Sequence, residues 1–227
     1  MELFRRTLLA LAATALDALL LGTALGGIAP LLAHSRALAL LAVWAAGTIA
    51  LVWLKPVRKQ DTVAVEPDPA FVLLSLFLLP LLSAPLAALG ERLGVWPLPG
   101  GLGLRWLGVA MSGLGLAIRV AAMVQLGSRF SPLVAVQRQH ELETQGLYGW
   151  VQHPGYLGSW LAALGGALAF DSALALPVVL AMAFLLRRRT AGEEALLERH
   201  FGDAYRAYRA RTGRFLPRLI ARADSRR

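Results

Sequence analysis

Two polar blocks stand out in a chain otherwise built from Leu, Ala and Gly. The first runs Phe130-Ser-Pro-Leu-Val-Ala-Val-Gln137, then His140-Glu-Leu-Glu-Thr-Gln-Gly146, then Tyr148-Gly-Trp-Val-Gln-His-Pro-Gly-Tyr156. It offers two imidazoles, carboxylates, amides and the aromatics Tyr148, Trp150 and Tyr156, a set able to hold a polar cofactor. His153-Pro154 reads as a helix start. Proline is tolerated in a first turn, where its missing N–H is not needed. The free backbone N–H groups of such a turn suit an anionic or polar ligand group. The plain alternative is an interfacial loop, with Tyr148, Trp150 and Tyr156 as part of an aromatic belt.

The second block runs from Arg187 to Tyr208. At 100° per residue, Leu197, Phe201, Ala204 and Tyr208 form one apolar stripe. Glu193 falls at its edge and Glu194 on it, while Arg199, Asp203 and Arg206 lie opposite. A simple surface helix keeps its carboxylates on the wet face. Here two turn toward the membrane side, and Arg189 lies one turn before Glu193. That geometry suits binding or orienting a charged ligand. The alternative is an Arg189–Glu193 surface pair worth a few tenths of a kcal/mol.

Other polar residues carry less. His34 reads as plain surface, and His200 as a packing residue. Asp17 lies inside an apolar run and suggests a helix-packing hydrogen bond. Arg119, late in another run, can snorkel to the inner interface. Four histidines without ligand-like spacing make a metal site unexpected. Gly100-Gly-Leu-Gly103 follows no strand and is no phosphate cradle.

The elements that must position these blocks are membrane helices. The 227 residues are 57% hydrophobic and only 16% charged, whereas soluble domains carry about 25% charged residues. The apolar residues form runs near the ~20 residues that a spanning helix needs. The runs are 7–32, 37–54, 70–89, 102–126, 155–170 and 173–186. The first is too long for a signal-peptide core, and further runs come after it. The last two read as a hairpin turning at Phe170-Asp171-Ser172, with Pro177 in the return arm. The expected fold is all-α: a polytopic membrane bundle of five to six transmembrane helices with a C-terminal hairpin and a cytoplasmic amphipathic helix. Residues 1–101 would hold three spans, and 102–227 the chemistry-bearing core. Small-residue pairs, Gly22/Gly26 and Ala162/Gly166, offer close helix contacts.

The net charge of +9 does not point to nucleic acid, because the basic residues sit at the ends of runs and in the tail. With the N-terminus inside, 19 of 23 Lys and Arg face the cytoplasm, as the positive-inside rule requires. Only Arg36, Arg92 and Arg105 lie outside. The setting implied is a multi-pass bacterial inner-membrane protein with both termini cytoplasmic. The absence of cysteine removes disulfides and thiolate metal sites from consideration.

The two blocks, in this order around a hairpin, resemble the isoprenylcysteine carboxyl methyltransferase family and its phospholipid-methyltransferase relatives. The residues that carry the resemblance are His140-Glu-Leu-Glu-Thr-Gln-Gly-Leu-Tyr148, His153-Pro-Gly-Tyr-Leu-Gly158 and Glu193-Glu-Ala-Leu-Leu197. They continue with Phe201-Gly-Asp-Ala-Tyr-Arg-Ala-Tyr208 and Arg214-Phe-Leu-Pro217. Gln152 stands where the family usually has arginine, removing one cation near the site. The resemblance implies S-adenosylmethionine as cofactor, contacted by Gln137, His140, Glu141, Leu142, Glu143, Tyr148, His153, Pro154, Gly155, Tyr156 and Glu193. It implies Arg189 as the acceptor-contacting arginine, so that Arg189 and Glu193 carry the chemistry.

The expected reaction is carboxyl O-methylation of a lipophilic, isoprenylcysteine-like acceptor. A carboxylate is already nucleophilic, so catalysis rests mainly on alignment. Arginine can grip it through paired N–H···O bonds. The nearest rival is N-methylation of an aminophospholipid, where an arginine beside the amine would be unhelpful. A membrane NADPH-dependent reductase is the rival of another class. A transporter or scaffold fits less well, since the polar residues gather at one membrane face rather than along a midplane path.

Overall fold

The computed structural model describes residues 2–53, 62–65, 72–127, 135–137 and 142–218. Helix α1 (Glu2–Leu25) is followed by a short α2 (Ile28–Ala33) and by α3 (Ser35–Trp53). A π-helical turn, Leu74–Leu78, leads into α4 (Leu79–Leu93), and α5 spans Gly101–Leu126. Then come a 3-10 turn, Gly146–Gly149, and three helices: α6 (Pro154–Leu168), α7 (Leu176–Phe201) and α8 (Asp203–Arg211).

Four helical stretches are long and apolar enough to cross a membrane: Phe4–Leu25, Ser35–Trp53, Leu74–Leu93 and Gly101–Leu126. The expected five to six also count one or both arms of the C-terminal hairpin, which fall outside these four. The 15 residues of α6 reach about 22 Å, short of a ~30 Å hydrocarbon core. Helix α7 meets Arg187, Arg188 and Arg189 only 11 residues after its start. The hairpin is therefore a shorter pair of arms packed against full spans. Large apolar side chains such as Leu11, Leu19, Leu107, Leu114, Leu180 and Phe184 are exposed on the outside of the bundle, as lipid contact requires.

The first expected run, 7–32, is broken. Gly26 (φ 99°) and Gly27 (φ 134°) take a backbone conformation that side-chain-bearing residues rarely adopt. Gly26 therefore lies outside α1, and Gly22/Gly26 is not a helix face. The Ala162/Gly166 pair divides as well. Ala162 meets α5, whereas a Cβ on Gly166 would approach Ala84 and Trp44.

The closest packing is between α5 and α6. A Cβ on Gly108 would lie 2.8 Å from Gly165 O, and one on Gly158 2.5 Å from Gly115 O. One on Gly115 or Gly165 would strike the backbone N of Ala162 or Ser112. Small residues seven apart on both helices thus bring the backbones into contact, the arrangement that favours helix association in lipid. Trp44 locks α3 onto this seam by donating to Ser112 Oγ (3.1 Å). The core around it includes Leu21, Leu40, Ala84, Ala87, Val109, Phe170 and Val179.

The one departure from an all-helical fold among the described residues is a short antiparallel ladder, β1 (Thr62–Val65) with β2 (Ala135–Gln137), in which Thr62 pairs with Gln137. Strand β2 lies beside α7. The amphipathic segment also differs from expectation. It is not a separate helix but continues the hairpin arm through Phe201, then breaks at Gly202 (φ 54°). The break rotates α8 relative to α7, so Tyr205 and Tyr208 are buried while Ala204 is exposed.

The bundle has two polar ends. At one, Arg6 Nη1 donates to Trp53 O (3.2 Å), joining the start of α1 to the end of α3. The end of α5, the start of α6 and the polar half of α7 lie at this same end. At the other, Arg92 caps α1 through Thr23 O (3.1 Å), and the hairpin turn meets the α4–α5 connection.

Candidate active site

Pro154 opens α6, with His153 before it. One turn along, Tyr156 faces α7. The Tyr156 hydroxyl accepts from Arg189 Nε (2.8 Å) and donates to Glu193 Oε2 (2.9 Å). Arg189 is buried, and its guanidinium lies 5.5 Å from the Tyr156 ring centroid. The one-turn spacing of Arg189 and Glu193 on α7 thus brings both to a single phenol. Arg187 and Arg188, also on α7, are exposed.

A second arginine enters from α5. Arg119 donates to Ser159 Oγ on α6 and approaches Gly155 O (3.5 Å). The guanidinium therefore turns inward between α5 and α6 rather than snorkelling along the interface. An ionisable residue at such depth is a functional suspect by default, and that signal was readable in the sequence.

Behind Tyr156 lies a buried ion cluster. His153 Nε2 and Glu194 Oε1 are 3.2 Å apart. Arg214 grips the same carboxylate with both prongs, Nη2 to Oε2 and Nε to Oε1, each at 2.6 Å. Burial pushes the Glu194 carboxyl up, but the bonds from His153 and Arg214 outweigh it and hold it below the ordinary carboxylate range. Arg214 arrives on a strap, residues 212–215, that continues the chain beyond α8. The strap carbonyls of Gly213 and Arg214 accept from the backbone N–H groups of Gln152 (2.8 Å) and His153 (3.1 Å). Gln152 Nε2 donates to Thr212 O (2.9 Å). Gln152 thus supports the strap, and Arg214 supplies a cation that position 152 lacks.

The loop before α6 is tied to the same place. Gln125, at the end of α5, donates to Gln145 O (2.7 Å) and accepts from Leu147 N (3.1 Å). Tyr208 on α8 donates to Tyr148 O (2.8 Å), and burial pushes the Tyr208 phenol up to about 12. Leu142, Glu143 and Tyr148 are half-buried in this loop. Gln137 lies in β2; His140 and Glu141 fall outside the described residues. The fold gathers Tyr148, His153, Pro154, Gly155, Tyr156, Arg189 and Glu193 at one end. Arg119, Glu194 and Arg214 are added to them.

Two buried polar atoms here, Gln152 Oε1 and Tyr205 Oη, have no partner among the described residues. Buried polar groups are usually satisfied. Among the described residues no cluster could hold a metal ion. At the opposite end His34, expected as plain surface, instead contacts Glu91 (3.0 Å). Asp17 has no hydrogen-bond partner among the described residues.

Residues 107–199 match the isoprenylcysteine carboxyl methyltransferase (ICMT) family. A protein-S-isoprenylcysteine O-methyltransferase of Schizosaccharomyces pombe is 41% identical over 109 residues, covering 46% of this chain and 45% of that protein. The Tribolium castaneum and Homo sapiens proteins of that name are 31% and 32% identical, over 52% and 50% of this chain and 44% and 42% of theirs. The matches thus span less than half the length of these relatives. The solved structure of the eukaryotic intramembrane Ras methyltransferase ICMT superposes with a TM-score of 0.55 at 23% identity. It covers 79% of this chain and 65% of that one.

Proposed function

We propose, from the ICMT-family pattern of residues 107–199 and the geometry around Tyr156, that this multi-pass membrane protein is a methyltransferase. It moves the methyl group of S-adenosylmethionine to the carboxylate of a lipophilic, isoprenylcysteine-like acceptor. The observation that carries the reading is the Arg189–Tyr156–Glu193 chain with Arg119 beside it. Two guanidinium groups meet at one end of the bundle, Arg189 bonded through Nε to the Tyr156 phenol and Arg119 to Ser159 and Gly155, and such a pair suits an anionic acceptor. It does not suit an amine.

The donor set also fits the cofactor. The first turn of α6 offers the N–H groups of Gly155 and Tyr156, which have no intrahelical acceptor and suit the cofactor's carboxylate. Gln137, the loop through His140, Glu141, Leu142 and Glu143, and Tyr148 would hold the rest. Glu193 supplies negative charge for the cofactor's cationic groups, and His153 a ring edge. When bound, the cofactor provides an electrophilic methyl group on a sulfonium. Arg189 and Arg119 orient the acceptor oxygen toward it, and Tyr156 fixes Arg189 relative to Glu193. An acceptor carboxylate so held would take the methyl group directly, the sulfur of the departing cofactor keeping the electron pair of the broken carbon–sulfur bond. No proton need move, so alignment provides most of the rate.

The site end carries the N-terminus, the end of α3 and the C-terminal helices. The basic residues concentrate there, which supports a cytoplasmic site with both termini inside. The test is transfer of labelled methyl from S-adenosylmethionine into a lipid extract, followed by base. An ester product releases the label as methanol. Label that resists base would overturn the carboxyl reading in favour of an aminophospholipid acceptor. Absence of transfer, together with tight NADPH binding, would overturn methyl transfer itself.

A further inference from the structure

We infer that Arg214 is a positioning residue: by latching the strap after α8 to Glu194, it holds the start of α6 where the cofactor needs it. The strap lies along residues 151–153 like an added strand. Val151 and Gly213 form a parallel bridge. Gly213 O and Arg214 O accept from the backbone N–H groups of Gln152 (2.8 Å) and His153 (3.1 Å), and Gln152 Nε2 donates to Thr212 O (2.9 Å). Gln152, His153 and Thr212 are buried, so water does not readily replace these bonds, and an unmet buried backbone group is costly. The strap is not a regular element, and Leu216, Pro217 and Arg218 beyond it are exposed. Thr212 Oγ1 and Arg218 Nη1 tie back to α8 itself, at Tyr208 O and Ala210 O. The bond that carries the strap across to the hairpin is Arg214–Glu194.

Two neighbouring carboxylates of α7 thus hold the start of α6 by different routes. Glu193 accepts directly from Tyr156, in the first turn (2.9 Å). Glu194 is buried and accepts from both prongs of Arg214, each at 2.6 Å. The strap backbone then passes that restraint to residues 152 and 153. The two routes close a ring of bonds: from α7 to the strap, from the strap to residues 152–153, and from the first turn of α6 back to α7. Gly155 and Tyr156, whose N–H groups lack intrahelical acceptors, lie within this ring. Arg214 and Glu194 need not touch the cofactor; they fix where those N–H groups stand. An arginine suits the task, because its planar fork meets both carboxylate oxygens and fixes direction as well as distance, which an ammonium does not.

The consequence for function rests on the reading that the start of α6 binds the cofactor; the latch itself does not. The test uses the full-length chain in detergent micelles, read by backbone hydrogen–deuterium exchange with mass spectrometry. In Arg214→Gln, the peptide over residues 150–157 should exchange about tenfold faster while α5 keeps wild-type protection. Glu194→Gln should do the same, and the double variant should go no further than the larger single, because all three remove one bond. Arg214→Lys should fall between. Unchanged exchange over 150–157, acceleration that spreads to α5, or effects that add in the double variant overturn the latch. Should Arg214→Gln fail to fold, Glu194→Gln decides alone by the first two criteria. A second arm measures rates against S-adenosylmethionine concentration. The KM should rise about tenfold in Arg214→Gln, with turnover at saturating cofactor falling less, and Arg214→Lys should recover part of the loss. A fall in turnover with KM unchanged overturns the link from latch to cofactor. If the wild type binds no S-adenosylmethionine by calorimetry while the exchange behaves as stated, the methyltransferase reading has failed and the latch has not.

Discussion

The two polar ends of this bundle are built from the same side chains and differ in what those side chains bond. At the end away from the site, Arg36 bridges Glu91 (3.2 Å) and Asp171 (3.4 Å), and its Nη1 donates to Ala169 O (3.0 Å). Arg105 is 1% exposed and bonds Asp171 (2.5 Å) and Leu98 O. Glu91 also accepts from the Asp171 backbone N–H (2.6 Å). Each of these two arginines meets a carboxylate, and each carboxylate is tied to the hairpin turn. At the site end, Arg119 donates to a serine and a backbone oxygen, and Arg189 Nε to a tyrosine. Arg119, facing neutral oxygens, keeps charge available to an anion that comes and goes, whereas Arg36 and Arg105 are held by carboxylates. The outer cluster reads as a clasp on the hairpin turn, the inner one as a binding place.

The seam between α5 and α6 connects the two ends, and breaking it should erase the difference. Gly115→Val would drive a side chain into the backbone of Ala162 and Gly158, where no flexible side chain can give way. Overpacking typically costs about 1–3 kcal/mol, and a clash against backbone exceeds that. The expected outcome is loss of monodisperse protein in detergent, with both ends affected. Recovery of folded, active protein would mean that the seam is looser than its geometry implies.

Next in size are changes confined to the inner end. Arg189→Lys keeps the charge and loses the planar fork. Turnover should fall about a hundredfold, roughly 2.7 kcal/mol in the barrier, with cofactor affinity nearly intact. Glu193→Ala should do the reverse, weakening cofactor binding by about 1.5–3 kcal/mol if it accepts a charge-assisted bond. Calorimetry and steady-state rates on both variants separate the roles. Equal loss of cofactor binding and turnover in Arg189→Lys would remove the arginine from the acceptor side. Arg188→Lys, on an exposed side chain of the same helix, is the control that should change neither.

Much of this was legible in the sequence, for reasons that can be named. Apolar runs of bilayer length mark spans because lipid offers no partner for backbone groups. Helix periodicity is short-range, so it brought Arg189 and Glu193 to one face, and the motif order brought His153 and Tyr156 to the same end. What periodicity cannot register is the junction between elements. The stripe through Ala204 assumed a continuous helix that Gly202 interrupts. The first run hid the Gly26–Gly27 break because both flanks are equally apolar. Arg119 was read by its depth in the span, when the deciding feature is Ser159 on another helix, 40 residues away in the chain. Arg214 and Glu194 likewise meet only because α8 folds back, a long-range event that no local pattern encodes. The Gly108/Gly115 and Gly158/Gly165 spacings were present in the sequence but unremarkable among 22 glycines.

The smallest expected effect lies at the outer clasp, and it tests the comparison from the other side. Burial works to raise the Asp171 carboxyl, but its bonds and charge contacts with Arg105 and Arg36 hold it below its ordinary value. A carboxyl depressed in the folded state stabilises above its unfolded pKa, and that contribution is lost as pH falls through the folded pKa. The clasp should therefore be intact at neutral pH and weaken only in the acid range below about pH 4. Asp171 is itself half exposed, so solvent screening keeps its ion pairs modest. The greater effect falls on Arg105, which is left buried with one partner fewer. Asp171→Asn should lower the thermal midpoint measurably at pH 7 and flatten the fall in midpoint on acidification. It should leave turnover per folded molecule and cofactor affinity unchanged, because no clasp residue reaches Tyr156 or His153. Thermal melts from pH 3 to 7 on both proteins, with rates measured at pH 7, decide the matter. A variant as stable as wild type would show that the clasp holds nothing. A variant of normal stability per molecule but reduced cofactor affinity would show that the hairpin transmits the state of its outer turn to the inner site, and the division between clasp and binding place would fall.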